Sequence, residues 1–149
     1  MRAVIQRVNS ASVRVDNKIC GEIKKGLLVL LGVGPNDTEK DLSYMCDKVL
    51  GLRIFEDEDE KMNLSLRDIK GEIMVISQFT LFGDCRKGKR PSFVSACPPD
   101  RAEKLYEDFL KFCEREGFNP QHGIFGADMK VSLENDGPVT ILLDSEKVF

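Results

Sequence analysis

Two stretches of this 149-residue chain carry residues whose types and spacing suit chemistry. The first is ISQFTLFGDCRKGKRPSF, residues 76–93. Here Ser77, Gln78, Phe79 and Thr80 follow directly on an apolar run, which sets two hydroxyls and an amide at a strand end, where sites are often built. The Thr80 hydroxyl is a candidate nucleophile or a donor to a polar substrate group. Backbone N–H groups in a bend at Phe79 and Thr80 are candidate stabilisers of an oxyanion. The bland alternative is that Ser77 and Thr80 only satisfy turn hydrogen bonds. A threonine nucleophile needs a base, and the sequence supplies none beside it. The single histidine, His122, lies in a Pro-Gln-His-Gly loop without a partner motif and reads as a surface residue. No G-x-S-x-G elbow, Walker loop or dinucleotide fingerprint is present.

The second stretch is SLENDGPVTILL, residues 132–143. Both flanks read as strand, and Asp-Gly alone would serve a hairpin. Pro138 is superfluous there. It removes a backbone donor, restricts Gly137, and lowers the cost of a cis peptide bond to about 0.5–1 kcal/mol. Residues 135–138 are thus either a tight turn with proline at a strand start, or a rigid backbone tip, poor in side chains and aimed at something. Between the two stretches, Arg86, Lys87, Lys89 and Arg90 place four positive charges in five residues. Such a loop is either simply solvated or a local phosphate-backbone contact. The net charge of −3 and pI near 5.3 exclude a protein that coats nucleic acid by bulk charge.

Composition bounds the rest. With 42% hydrophobic and 32% charged residues, the length suits one domain, 1–149, with a sizeable core. No apolar run nears the ~20 residues of a membrane span, and the charged N-terminal stretch has no signal-peptide core. A cytoplasmic location is expected. The five cysteines are scattered without a C-x-x-C pair. They read as reduced packing residues, and with a single histidine no metal centre is expected.

The elements that must position these residues are legible from periodicity. Strands are expected at 3–8, 12–16 and 19–24, with a possible turn at Asp16-Asn17-Lys18. Leu27–Val33 and Gly71–Ser77 read as strands buried on both faces. A helix capped at residues 36–38 presents Leu42, Met45, Cys46, Val49 and Leu50 on one face. A second, started by Pro98-Pro99-Asp100 and ended by Gly117, presents Ala102, Leu105, Tyr106, Phe109, Leu110 and Cys113. Residues 56–63 form an acidic, solvated loop. The fold class expected is α/β: one domain of mixed, mostly antiparallel sheet with two main helices packed on it.

Ser77-Gln78-Phe79-Thr80-Leu81 and Asn135-Asp136-Gly137-Pro138-Val139-Thr140 resemble the two signature motifs of the D-aminoacyl-tRNA deacylases. The resemblance extends to MRAVIQRV, GLLVLLGV, KGKRPSF and FGADMKVSLENDGPVT, and so to essentially the whole chain. Two motifs in this order are far more specific than either alone.

The resemblance implies a cytoplasmic homodimer that hydrolyses the ester of D-aminoacyl-tRNA, and of glycyl-tRNA such as glycine mischarged on the alanine tRNA, without a cofactor. It implies that Gly137-Pro138 is cis and crosses to the partner's pocket as a gauge of chirality. Ser77 and Gln78 would shape the pocket, Phe79 and Met129 would flank the adenine, and Phe79 and Thr80 would hold the oxyanion through their N–H groups. Arg7 would brace the partner's Gly-Pro tip. Arg86, Lys87, Lys89 and Arg90 would meet acceptor-stem phosphates. A non-catalytic RNA-binding dimer of the same fold is the competing reading.

Overall fold

A single strand, β1 (Arg2–Val15), organises the sheet in the computed structural model, which describes residues 1–148. The sequence suggests a break near residues 9–11, but the chain runs through it as one bent strand. Its register shifts at Val8–Ser10 mark the bend. The far half of β1 turns back through Asp16 and Asn17, whose φ angles of 48° and 63° suit a two-residue hairpin, into β2 (Lys18–Ile23). The near half pairs antiparallel with β3 (Gly26–Gly32). From β3 the sheet continues in parallel through β6 (Glu72–Ser77) to β7 (Gln121–His122). The ends of this order nearly meet: a Cβ added at Gly21 of β2 would lie 3.2 Å from Cβ of Gln121. The mixed sheet therefore curls almost into a barrel.

Alternation along β3 and β6 fills two cores. Leu27, Val29, Leu31, Ile73 and Val75 face the helices. Leu28, Met74 and Ile76 face inward with Val8, Ala11, Val13 and Ile23. This is why both strands read as continuous apolar runs. On the helical side pack α1 (Glu39–Gly51) and α3 (Pro99–Arg115), with all five and all six of the expected apolar residues buried. Each large aliphatic or aromatic side chain so buried contributes about 1.5–3 kcal/mol. At the start of α1, Thr38 donates its N–H and hydroxyl to the Asp41 carboxylate at 2.9 and 2.8 Å. A short third helix, α2 (Leu66–Ile69), was not visible in the periodicity. The acidic stretch is a small hairpin, β4 (Phe55–Glu56) with β5 (Met62–Leu64), closed by an exposed turn.

The hairpin suggested by Asp136-Gly137 does not form. Residues on both sides of it belong to one strand, β8 (Lys130–Asp144), antiparallel to β1. Asn135 pairs with Val8 and Thr140 with Gln6, so residues 136–139 stand opposite Arg7 alone. The motif is a bulge, and its flanks pair with a third segment rather than with each other.

Candidate active site

β6 ends at Ser77, and the chain bends into a 3₁₀ turn, Phe79–Phe82. The bend is docked on β3 by the Gln78 N–H, which donates to Leu31 O at 2.8 Å. A Cβ at Gly32 would lie 2.9 Å from Gln78 O, so glycine permits this close approach. Arg2 secures the other end, donating to Leu81 O at 3.0 Å and lying 4.6 Å over the Phe82 ring. The first bonded N–H of the turn is that of Leu81, to Gln78 O at 3.4 Å. The N–H groups of Phe79 and Thr80 precede it, as the leading donors of any helical turn do. The Thr80 hydroxyl accepts from the Gln78 amide at 2.6 Å. No carboxylate or imidazole bonds it among the described residues. Phe79 is 58% exposed and meets Phe93 edge-to-face at 5.2 Å.

The Gly137–Pro138 tip is built differently. Its peptide bond is cis, and Gly137 has φ 138°. Both residues are exposed, while of their supports Arg7 is buried and Asn135 half-buried. Arg7, 5% exposed, donates from Nε to Asp136 O at 3.0 Å and from a terminal nitrogen to Ile54 O at 2.7 Å. The Asp136 and Glu56 carboxylates lie 3.3 and 3.8 Å from it. Arg7 thus braces the tip of its own chain, where the sequence reading assigned it to the partner's. The reason is the register: the bulge lies directly opposite Arg7 on β1. Asn135 closes the bulge as a second backbone would, accepting from Val139 N at 2.7 Å and donating to Val139 O at 3.1 Å. The sequence reading missed this residue; its signal is an asparagine with its amide free to bond the chain four residues on.

Met129 belongs near the bend. It packs against the inner cluster that includes Ile76, the residue just before Ser77. A Cβ at Gly123 would collide with the Met129 sulfur. Among the described residues the His122 ring bonds only the neighbouring Gly123 O, at 2.8 Å.

The basic loop leaves the bend at Gly83 and closes through paired Asp84 and Ser92 backbones, at 2.8 and 3.0 Å. Arg86 is forked onto Asp84 at 2.9 and 2.7 Å, which holds that carboxyl well below the usual carboxylate range. One of the four charges is therefore matched locally, whereas Lys87, Lys89 and Arg90 are exposed.

Within one chain the tip and the bend are apart. Ala3 pairs with Leu31, which anchors the bend, and Arg7 lies four residues further along β1. At 3.3 Å per residue that is about 13 Å. Two open clefts, of about 520 and 580 Å³, lie at the far end of β6 around Glu72 and include neither motif. The bend offers N–H donors and an aromatic face on an open rim. The tip offers rigid backbone with no side chain beyond the proline ring. Together they suit a reaction that builds negative charge on a carbonyl oxygen and judges shape close to a backbone.

Comparison with known proteins agrees. The family model described as D-Tyr-tRNA(Tyr) deacylase matches residues 4–144. A D-aminoacyl-tRNA deacylase of Clostridium tetani is 63% identical over 149 residues, covering all of both chains. That of Thermosipho melanesiensis is 63% identical over 150 residues, again covering all of both. A solved structure described as c-Myc DNA Unwinding Element Binding Protein superposes with TM-score 0.91 at 44% identity, covering 97% of this chain and 98% of that one. The bulge, the bend and these matches place the chain in the D-Tyr-tRNA(Tyr) deacylase family of hydrolases.

Proposed function

We propose that the chain, as one domain spanning 1–149, hydrolyses the ester between a D-amino acid and the terminal adenosine of tRNA, in the cytoplasm, as a chiral proofreader. The observation that carries this is the pairing of two features: N–H groups at Phe79 and Thr80 that are unengaged among the described residues, and a side-chain-poor tip locked by Arg7 and Asn135. Water adds to the ester carbonyl, assisted by the neighbouring ribose hydroxyl. The oxyanion is held by the Phe79 and Thr80 N–H groups. The ester C–O bond then breaks, and the ribose oxygen takes the proton. Thr80 acts through its backbone, since its hydroxyl is engaged by Gln78 and has no base. Ser77 and Gln78 shape the pocket, and Phe79 and Met129 flank the adenine. Arg86, Lys87, Lys89 and Arg90 meet the acceptor-stem phosphates, with the charge of Arg86 reduced by Asp84.

Gly137 and Pro138 set the stereochemistry. Rigid backbone placed against Cα excludes a Cβ on the L side by clash and leaves the D side open. Many side chains are then tolerated, and glycine, with none, is accepted. Because about 13 Å of β1 separates tip from bend in one chain, the tip serving a given bend comes from a second copy, in a homodimer. The competing reading is a nucleic-acid-binding dimer without turnover, which the exposed charges of the basic loop favour. Hydrolysis of D-tyrosyl-tRNA beside L-tyrosyl-tRNA separates the two. Release of D-tyrosine with little L-tyrosine is the expected result; binding without release overturns the enzyme reading.

A further inference from the structure

Phe93 is an aromatic side chain left 39% exposed, and its neighbour Val94 is 91% exposed. Nothing in the deacylase chemistry above uses either. Their position is set by the loop. The Asp84–Ser92 backbone pair closes residues 85–91 into a lobe and returns the chain beside its start. Phe93 therefore sits at the base of the lobe, on Gly83, where a Cβ would lie 3.0 Å from the Phe93 ring. Its ring centroid is 5.2 Å from that of Phe79. Lys87, Lys89 and Arg90 lie further out on the same lobe, exposed. Moving away from the Phe79 and Thr80 N–H groups, a strand of nucleic acid would meet Phe79, then Phe93 and Val94, then the cations. Exposed aromatic faces leading into a basic groove are what single-stranded nucleic acid stacks on. The order also matches the polarity of the substrate, with its ester at the very end, unpaired nucleotides next and the charged duplex last.

We infer that Phe93 is a stacking platform for the unpaired nucleotides immediately preceding the terminal adenosine, with Val94 extending its apolar face. This rests on the deacylase reading, and it adds a binding subsite that the reaction at the ester does not require. Stacking on an aromatic ring is lost when the ring is removed, and is insensitive to salt compared with the phosphate contacts.

The test compares D-tyrosyl-tRNA with D-tyrosyl-adenosine, which carries the ester but no preceding nucleotide. Wild-type hydrolysis of both establishes the deacylase reading; an inert wild type refutes that reading and the inference with it. With an active wild type, Phe93→Ala and Phe93→Leu should raise KM for D-tyrosyl-tRNA by about tenfold or more. They should leave kcat/KM for D-tyrosyl-adenosine within about twofold. Phe93→Trp should restore KM, and the salt dependence of Phe93→Ala should match the wild type. Equal losses on both substrates would mean that Phe93 only props Phe79, and unchanged kinetics on both would mean it binds nothing; either overturns the inference.

Discussion

The bend at Ser77–Thr80 and the bulge at Asp136–Val139 are both places where a strand stops being a strand, and they differ in what they leave free between their ties. The bend is tied down at its ends, by Leu31 O and by Arg2, and its middle is left with N–H groups and an exposed ring. The bulge is tied at its two ends by side chains of its surroundings, a buried guanidinium taking Asp136 O and the Asn135 amide bridging to Val139, which leaves Gly137-Pro138 projecting between them. A group that must receive developing charge needs open donors. A group that must refuse a methyl on one face of a carbon needs to be unable to yield. On the proposed reading polar backbone does both jobs, and the side chains around it decide which.

The bulge should be the more fragile of the two. The largest effect is expected from Gly137→Ala. A residue there must hold φ 138°, and its Cβ would sit 2.7 Å from Val139 Cγ2 and 2.9 Å from Val139 N. The cores do not include this residue, so the variant should fold. A tip displaced by about an ångström can cost on the order of a hundredfold in rate. Hydrolysis of D-tyrosyl-tRNA by a variant with native circular dichroism measures it; a near-wild-type rate would put the tip outside the site.

Asn135→Ala should rank next. It removes two hydrogen bonds to Val139, each worth about 0.5–1.5 kcal/mol. The tip should loosen without collapsing, because Arg7 remains. Activity should drop about tenfold, and the ratio of D to L hydrolysis should shrink with it. Asn135→Asp keeps the acceptor for the Val139 N–H and should fall between alanine and wild type. A reduced rate with an undiminished D/L ratio would mean that Asn135 serves stability alone.

The smallest effect is expected at the bend. Thr80→Ala deletes a hydroxyl that accepts from the Gln78 amide, and it keeps the N–H. Activity should stay within about fivefold of wild type, since loss of one such bond is worth about 1 kcal/mol. A fall of several orders of magnitude, together with an acyl-enzyme trapped on the wild type, would make Thr80 a nucleophile and overturn the contrast drawn here.

What the sequence made legible divides along the same line. Helical faces such as Leu42, Met45, Cys46, Val49 and Leu50 are local patterns of period 3.6, so they could be read directly and all are buried. The doubly buried strands were likewise visible as apolar runs. The bulge was not, because whether Asp-Gly closes a hairpin depends on where the flanks find partners, and their partner is β1, more than a hundred residues away in sequence. The ownership of Arg7 was hidden for the same reason. The near-closure of β2 on β7, and with it the approach of Met129 to the strand end at Ser77, is also set by long-range register. Asn135 is the exception, a short-range contact that residue type alone could have suggested.

The pairing of β8 with β1 on both sides of the bulge constrains its length more tightly than its composition. Beyond the bulge, Ile141 and Leu143 pack on the helical core while Thr140 and Leu142 face outward. Because alternate residues point to opposite faces, one residue inserted or deleted between Asn135 and Thr140 would exchange those two sets. Asp144, paired with Arg2 at the close of the strand, would lose its place as well. Substitution can therefore explore the chemistry of the tip, but a change in residue count there would be felt first as a misassembled sheet.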